Sequence, residues 1–197
     1  MILNLPTKER VMKFSHLLIV LFAAFSLGLA ACSSEEESSS VTTTSLVSSP
    51  MAGTWVKSAG ACLGEGGTDN LGNPSYYKSA LVITDTTIAN QWTQYNDTTC
   101  ANQVRLDDLS GTIDVYTDTT FTLSWTTLTK TYTDADYVAD ANSNNVCGGG
   151  WTLDLARDVS DCADFADSGV GVSQTVTFEI SADGTTMTVG TDIWTKQ

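Results

Sequence analysis

The sequence predicts an all-β fold for residues 51–197, a single antiparallel β-barrel of about eight strands. Apolar and polar residues alternate in several short runs, residues typical of turns separate these runs, and no segment shows a sustained helical period. A domain of this length most easily closes such strands into a barrel, since closure leaves no unpaired strand edge. Before this domain we expect a signal peptide, residues 1–31, and a disordered tether, residues 32–50.

The strand signals have a period of two. In residues 120–126 every odd position is apolar, and residues 174–180 repeat this pattern. Weaker alternation, or residue types typical of strands, predict further strands at residues 53–55, 76–84, 88–95, 103–106, 112–116, 151–155 and 186–191. Asp183-Gly184 is typical of a hairpin turn, and residues 134–145 predict either a short helix or a long loop.

The alternation also predicts which side chains face the barrel interior. A small barrel is either filled by these side chains or holds one small ligand, and the sequence leaves both options open. The domain is poor in phenylalanine, which favours a cavity. The residues expected to line it are Trp55, Ile113, Val115, Phe121, Leu123, Trp125, Val176, Phe178 and Ile180.

The first 32 residues have the organisation of an export signal. Lys8, Arg10 and Lys13 precede an apolar run, residues 14–29, which is short for a membrane span. The run ends in Leu29-Ala30-Ala31-Cys32, which resembles the lipobox of bacterial lipoproteins. That resemblance implies cleavage before Cys32 and lipid on its sulfur; the alternative is an ordinary signal with an incidental cysteine. Ser33 in place of aspartate then predicts the outer membrane of the cell envelope.

Composition restricts the partners and the chemistry. The chain has a net charge of −14, and residues 1–31 carry +2, so the remainder is strongly acidic and does not favour nucleic acid. The single histidine, His16, lies in the signal, which excludes Ser-His-Asp and Cys-His catalysis and histidine-ligated metals. We therefore expect a monomer that is not an enzyme and has no cofactor or metal.

Four cysteines follow Cys32: Cys62, Cys100, Cys147 and Cys162. Their even number in an exported chain predicts two disulfides. We favour Cys62–Cys100 and Cys147–Cys162, because these pairs are neighbours in sequence. A four-thiolate zinc site is the alternative, but the sequence has no C-x-x-C pair.

The order of motifs is similar to that of a known family. Gly53-Thr54-Trp55 resembles the start of lipocalins and other calycins, in which the indole closes one end of the barrel. It is followed by Cys62, Tyr95-Asn96-Asp97-Thr98-Thr99-Cys100, Cys147-Gly148-Gly149-Gly150-Trp151 and Cys162. The whole order resembles the adenomatosis polyposis coli down-regulated domain family, whose animal members are membrane-anchored Wnt inhibitors. The resemblance implies a calycin-like barrel with an apolar cavity for an acyl chain. Animal members carry two such domains and this chain carries one; since bacteria lack a Wnt partner, only the fold and the cavity carry over.

Acidic residues form two further patterns. Asp134, Asp136, Asp140, Asn142 and Asn144 resemble a calcium loop, but Asn145 and Trp151 occupy positions where an EF-hand needs glycine and glutamate. A second series of aspartates, spaced three or four apart, is interpreted as a solvated surface: Asp154, Asp158, Asp161, Asp164 and Asp167. Gly148-Gly149-Gly150 lacks the lysine of a phosphate loop and predicts a turn.

These observations support three functional hypotheses. The first is a lipid-anchored, non-catalytic barrel that binds an apolar or acyl-bearing small molecule. The second is a surface module with a packed barrel that recognises a protein or glycan through its loops. The third is an enzyme that uses two facing carboxylates, for which the sequence singles out no pair.

Overall fold

The computed structural model describes residues 51–84 and 86–197. The predicted signal peptide, Cys32 and the tether lie outside the described residues. The strands are β1 (Gly53–Lys57), β2 (Leu63–Thr68), β3 (Pro74–Ile83), β4 (Thr87–Tyr95), β5 (Gln103–Tyr116), β6 (Thr120–Tyr132), β7 (Arg157–Asp158), β8 (Ser173–Ile180), β9 (Thr186–Val189) and β10 (Asp192–Lys196), with one helix, α1 (Ala135–Ser143), between β6 and β7.

Eight of these strands form a closed antiparallel barrel, as the sequence predicted. Their order around the barrel is β1-β10-β9-β8-β6-β5-β4-β3, and pairing of β1 with β3 closes the ring. The two remaining strands lie outside the ring, β2 on the edge of β3 and β7 on the edge of β6. No helix in residues 51–84 or 86–197 has both the length and the apolar character required to span a bilayer.

Most predicted elements are confirmed, and the differences have local causes. Residues 103–106 and 112–116 belong to one long strand, β5, and the helix option for residues 134–145 is correct. The strand predicted at residues 151–155 is wrong, because Trp151 packs into the fold instead of joining a ladder. Its backbone N–H donates to the Asn142 side chain at 2.7 Å, and its indole N–H donates to the Val146 carbonyl at 2.9 Å.

A β-bulge in the β5–β6 pair changes which residues face the interior. Trp125 pairs with Gly111 and Thr127 pairs with Ser110, so Thr126 is an extra residue on β6. Inward positions are therefore odd before the bulge and even after it. A Cβ atom on Gly111 would collide with the Ser124 carbonyl oxygen, which makes glycine necessary at this position.

A second irregularity in the same pair corrects one sequence prediction. Ile113 pairs with Leu123 and Val115 pairs with Thr122, so Asp114 is an extra residue on β5. Val115 was expected to face inward beside Ile113, but this bulge turns it outward, where it is 51% exposed. The Asp114 carboxylate accepts hydrogen bonds from the hydroxyls of Thr112 and Ser124.

The segment between β6 and β8, residues 133–172, folds over one end of the barrel and is called the covering segment here. It contains α1 and β7 and packs against β5 and β6 in a second apolar cluster, where the rings of Tyr132 and Trp151 meet edge to face with centroids 4.8 Å apart. The Tyr137 hydroxyl of α1 donates to the Asp69 carboxylate in the β2–β3 turn. Burial and this contact raise the pKa of Tyr137.

Both favoured disulfides are present. Cys62–Cys100 connects the segment before β2 to the loop between β4 and β5, with a Cα–Cα distance of 5.7 Å. Cys147–Cys162 closes a loop within the covering segment, with a Cα–Cα distance of 5.6 Å. The zinc alternative for these four thiols is therefore wrong.

Candidate functional site

One end of the barrel interior is apolar and packed. Its centre is Trp55 of β1, which is fully buried and donates its indole N–H to the Met51 carbonyl at 2.7 Å. The Lys196 ammonium lies 5.2 Å from the Trp55 ring centroid. We call this set the apolar half: Met51, Trp55, Leu81, Ile83, Ile88, Ile113, Phe121, Leu123, Val176, Phe178, Met187 and Trp194, all at most 8% exposed.

The inward faces of the same strands change character toward the other end. Toward this end, the inward positions of β3 are Leu81, Ser79 and Tyr77 in turn. Those of the antiparallel neighbour β4 are Ile88, Asn90 and Trp92. Strands β1, β5 and β6 show the same change. Seven inward residues at this end are joined in one series of ion pairs, ring stacking and cation–π contacts and form the mouth cluster: Lys57, Tyr77, Trp92, Arg105, Asp107, Lys130 and Asp192.

One side of the mouth cluster is an ion pair beside two stacked rings. The Lys57 ammonium lies 2.8 Å from the Asp192 carboxylate and 5.4 Å from the Tyr77 ring centroid. Burial alone would lower the pKa of Lys57, but the hydrogen bonds with Asp192 and Tyr77 outweigh it, so the pKa is raised. The Tyr77 and Trp92 rings stack with centroids 5.7 Å apart and planes inclined by 25°.

Arg105 connects this side to a buried triad. Its guanidinium carbon lies 4.9 Å from the Trp92 ring centroid, a cation–π arrangement. Its Nε atom lies 3.1 Å from Asp107 Oδ1, within ion-pair distance although too poorly aligned for a hydrogen bond. Asp107 Oδ2 accepts a hydrogen bond from the Lys130 ammonium.

Lys130 is the most deeply buried charge of the mouth cluster, with 1% of its surface exposed. Its ammonium lies 4.4 Å from the ring centroid of Phe165, which belongs to the covering segment. Burial, reinforced by the nearby Arg105 charge, lowers the pKa of Lys130 to about 8 although Asp107 opposes the shift. Asp107 is therefore required to balance two cations at once.

The charge of the mouth cluster is opposite in sign to that of the domain. Residues 51–197 hold six of the nine Lys and Arg residues and 19 of the 23 Asp and Glu residues. Three of those six cations, Lys57, Arg105 and Lys130, face each other across the mouth with two acids, which leaves a net charge of +1. A positive cluster inside an acidic barrel focuses attraction for an anionic group at that point.

The predicted cavity residues meet in one cluster, with one exception. Trp55, Ile113, Phe121, Leu123, Val176 and Phe178 belong to the apolar half, and the half-buried Trp125 and Ile180 pack against it. The rings of Phe121 and Phe178 lie 5.7 Å apart, so the side chains contact one another in the interior. Val115 lies outside this cluster, as described above.

Sequence reasoning missed the mouth cluster. The alternation on β3 and β4 could have revealed Tyr77 and Trp92, because these residues lie in register with the apolar positions Leu81 and Ile88. Lys130 could not be assigned in this way. The bulge at Thr126 precedes it on β6, and after the bulge the even-numbered residues face inward instead of the odd-numbered ones. Arg105 and Asp107 lie in a polar stretch of β5 with no apolar alternation to reveal its inner face.

The acidic patterns have structural roles in the described residues. Asp134 caps α1 by accepting the Asp136 N–H, and the Asp140 side chain accepts from the amide of Asn144. Within the same part of the chain, one group of three metal-ligand residue types has its ligand atoms within 4.8 Å of one another: Cys147, Cys162 and Asp164. Both sulfurs of this group are joined in a disulfide, so it does not form a metal site.

A surface pocket contains a second arginine, Arg157, whose hydrogen bonds differ from those of Arg105 in the mouth cluster. The pocket beside the Cys147–Cys162 disulfide, about 500 Å³ in volume, contains Arg157. The Arg157 Nη atoms donate to the carbonyls of Gly149 and Cys147 at 2.5 and 2.7 Å, so this guanidinium holds the covering segment together. No hydrogen-bond partner for the Nη atoms of Arg105 exists among the described residues.

Comparison with known proteins does not assign the chain to a family. The chain matches no protein-family model, and no curated protein matches it significantly.

Proposed function

We propose that residues 51–197 are a non-catalytic binding module that receives a small ligand at the mouth cluster and is held at the bacterial cell envelope by lipid on Cys32. The observation that carries the binding site is the row of two half-buried rings and one half-buried cation, Tyr77, Trp92 and Arg105, on the inner face of the barrel. Partly exposed aromatic side chains that face inward supply an apolar surface which a ligand can cover.

The packing of the apolar half restricts where an apolar ligand can bind. Four large rings, of Trp55, Phe121, Phe178 and Trp194, lie in that half together with eight other buried side chains. An acyl chain in that space would have to displace them, at a cost in packing energy. We therefore place the apolar part of the ligand against Tyr77 and Trp92.

The anchoring part of the proposal has independent support. Leu29-Ala30-Ala31-Cys32 follows an apolar run and a basic start, as in lipoprotein signals. The two disulfides are typical of a compartment outside the cytoplasm. Growth with radioactive palmitate tests this part: the chain should be labelled, and Cys32→Ser should abolish the label. Equal labelling of both would contradict lipid attachment at Cys32.

The non-catalytic part rests on the chemistry of the interior. Residues 51–197 contain no histidine, and the two carboxylates of the mouth cluster, Asp107 and Asp192, are each paired with a cation. Asp97 and Asp183, whose pKa values are lowered to about 2, lie in exposed turns where hydroxyl and backbone N–H groups donate to them. These acids stabilise turns.

Binding of an uncharged aromatic compound tests the mouth directly. Full chain in dodecyl maltoside is titrated calorimetrically with 2-naphthamide, and the heat from protein-free micelles is subtracted. Tyr77→Ala should weaken binding about fivefold, because a stacked aromatic pair contributes about 1 kcal/mol. Tyr76→Ala is the matched control, since Tyr76 alternates with Tyr77 and faces outward. Equal weakening by both variants, or none by Tyr77→Ala, would contradict the proposed site.

A second function is favoured by one observation. Leu153 and Leu155 are 44% and 60% exposed in a single turn of the covering segment, where a protein partner could bury them. This corresponds to the hypothesis of a packed barrel that recognises a partner through its loops. It becomes the better hypothesis if 2-naphthamide does not bind at all.

A further inference from the structure

We infer that the mouth cluster binds a ligand with a single carboxylate attached to a flat apolar group, and that Arg105 is the residue that receives the carboxylate. This inference rests on the proposed function, because it adds the class of ligand to the site described above. It is argued from the position of Arg105, from the charge of the cluster and from the rings beside it.

Arg105 is held in place but its donors are not used. Stacking on Trp92 and the Asp107 carboxylate beside Nε fix the guanidinium from two sides. The Nε atom is buried, while the side chain as a whole is 18% exposed. Since the Nη atoms have no partner among the described residues, the accessible end of the side chain presents donors suited to both oxygens of a carboxylate.

The net charge of the cluster indicates how much negative charge the ligand carries. Lys57 is balanced by Asp192, whereas Asp107 is shared by Arg105 and Lys130. The three cations and two acids named here sum to one positive charge in a partly buried place, where interactions between charges are stronger than in water. One carboxylate neutralises it, while a dianion would leave an excess negative charge beside Asp107.

The neighbouring rings indicate what the carboxylate is attached to. Trp92 contacts the guanidinium, and Tyr77 is stacked on Trp92 at 5.7 Å, so flat apolar surface begins directly beside the donors. A ligand that places its carboxylate on Arg105 can therefore lay a planar or aromatic group along these rings. The apolar half needs no rearrangement in this arrangement.

The test compares three probes that share a naphthalene ring: 2-naphthoate, the uncharged 2-naphthamide and the dianionic 2-naphthyl phosphate. Each is titrated into the full chain in dodecyl maltoside at pH 7, with micelle heats subtracted. Naphthoate should bind at least about tenfold more tightly than naphthamide, as a charge-assisted pair of hydrogen bonds predicts. The phosphate should bind no more tightly than naphthoate.

Two variants assign the preference to Arg105. Arg105→Gln should reduce the ratio of naphthoate to naphthamide affinity to about one, and Arg105→Lys should restore part of it. Lys78→Gln is the matched control, because it removes the same charge from the outward face of β3 and should leave the ratio unchanged. The ratio of affinities is unaffected by a fraction of inactive protein.

The results distinguish failure of carboxylate recognition by Arg105 from failure of the binding site at the mouth cluster. If naphthoate and naphthamide bind wild-type protein equally, or if Arg105→Gln keeps the full preference, carboxylate recognition is wrong while the mouth site stands. If 2-naphthyl phosphate binds tenfold more tightly than 2-naphthoate, the inference that the ligand carries a single negative charge is wrong. If no probe binds, both this inference and the proposed function fail.

Discussion

The two ends of the barrel interior are built on the same strands but are stabilised in different ways. In the apolar half, burial of large side chains stabilises the fold, and the Trp55 indole N–H is satisfied by the Met51 carbonyl. At the mouth, the buried charges are stabilised by oppositely charged neighbours, as Lys130 is by Asp107. The comparison teaches that the apolar half contributes mainly stability, whereas the mouth holds charged and aromatic groups that can contact a ligand.

Exposure separates the two ends as clearly as chemistry does. Trp55 and Trp194 in the apolar half are 0% and 6% exposed, whereas Trp92 and Tyr77 at the mouth are half-buried. Substitutions in the apolar half should therefore affect stability, while substitutions of the exposed mouth residues should affect binding. The predictions below test this division in order of expected effect.

Loss of the central ring in the apolar half should have the largest effect. Trp55→Ala is expected to lower the free energy of unfolding by about 3–5 kcal/mol, since it leaves a large cavity and removes the partner of the Met51 carbonyl. Urea unfolding with intact disulfides measures this. Loss of less than about 1 kcal/mol would mean that the ring is not packed as described.

Loss of the shared carboxylate should have the next largest effect. Asp107→Ala is expected to cost about 3 kcal/mol, because it leaves the ammonium of Lys130 buried without its acid. The double variant Asp107→Ala/Lys130→Met should recover most of this stability. The same loss in both variants would show that Asp107 acts through other contacts.

The pH dependence of stability isolates Lys130. Its pKa is about 8 in the folded state and 10.5 without the shift, so between these values the unfolded chain holds more protons. The free energy of unfolding should therefore rise between pH 8 and 10, by an amount on the order of 2 kcal/mol. Arg105 and Asp107 also face this ammonium, while Lys57, whose pKa is raised above 10.5, titrates beyond this window. Lys130→Met should abolish the rise, and an unchanged rise would assign it to another group.

The smallest change in stability is expected at Val115 on β5, and the nearby Ile113 provides the contrast. Val115→Thr is expected to change stability by less than about 0.5 kcal/mol, because the bulge at Asp114 turns this residue to solvent. Ile113→Ala, two residues earlier, should cost about 2–5 kcal/mol. Similar losses at both positions would contradict the bulge.

Sequence periodicity predicted the apolar half far better than the mouth. The regular alternation of residues 120–126 placed Phe121, Leu123 and Trp125 correctly, because hydrophobic burial leaves a pattern of period two. It failed at Val115 and could not reach Lys130, since one extra residue reverses the face of all that follows. The mouth also lacks a hydrophobic signature, because its residues are held by charge pairs across several strands.

The indole signals of the five tryptophans offer the most direct test of where a ligand binds. A ¹⁵N-labelled sample is titrated with 2-naphthoate, and each indole N–H resonance is assigned by substitution with phenylalanine. Binding at the mouth predicts that the Trp92 resonance shifts with saturation while those of Trp55 and Trp194 stay in place. Shifts at Trp55 and Trp194 with an unmoved Trp92 would place the ligand in the apolar half and contradict the proposed site.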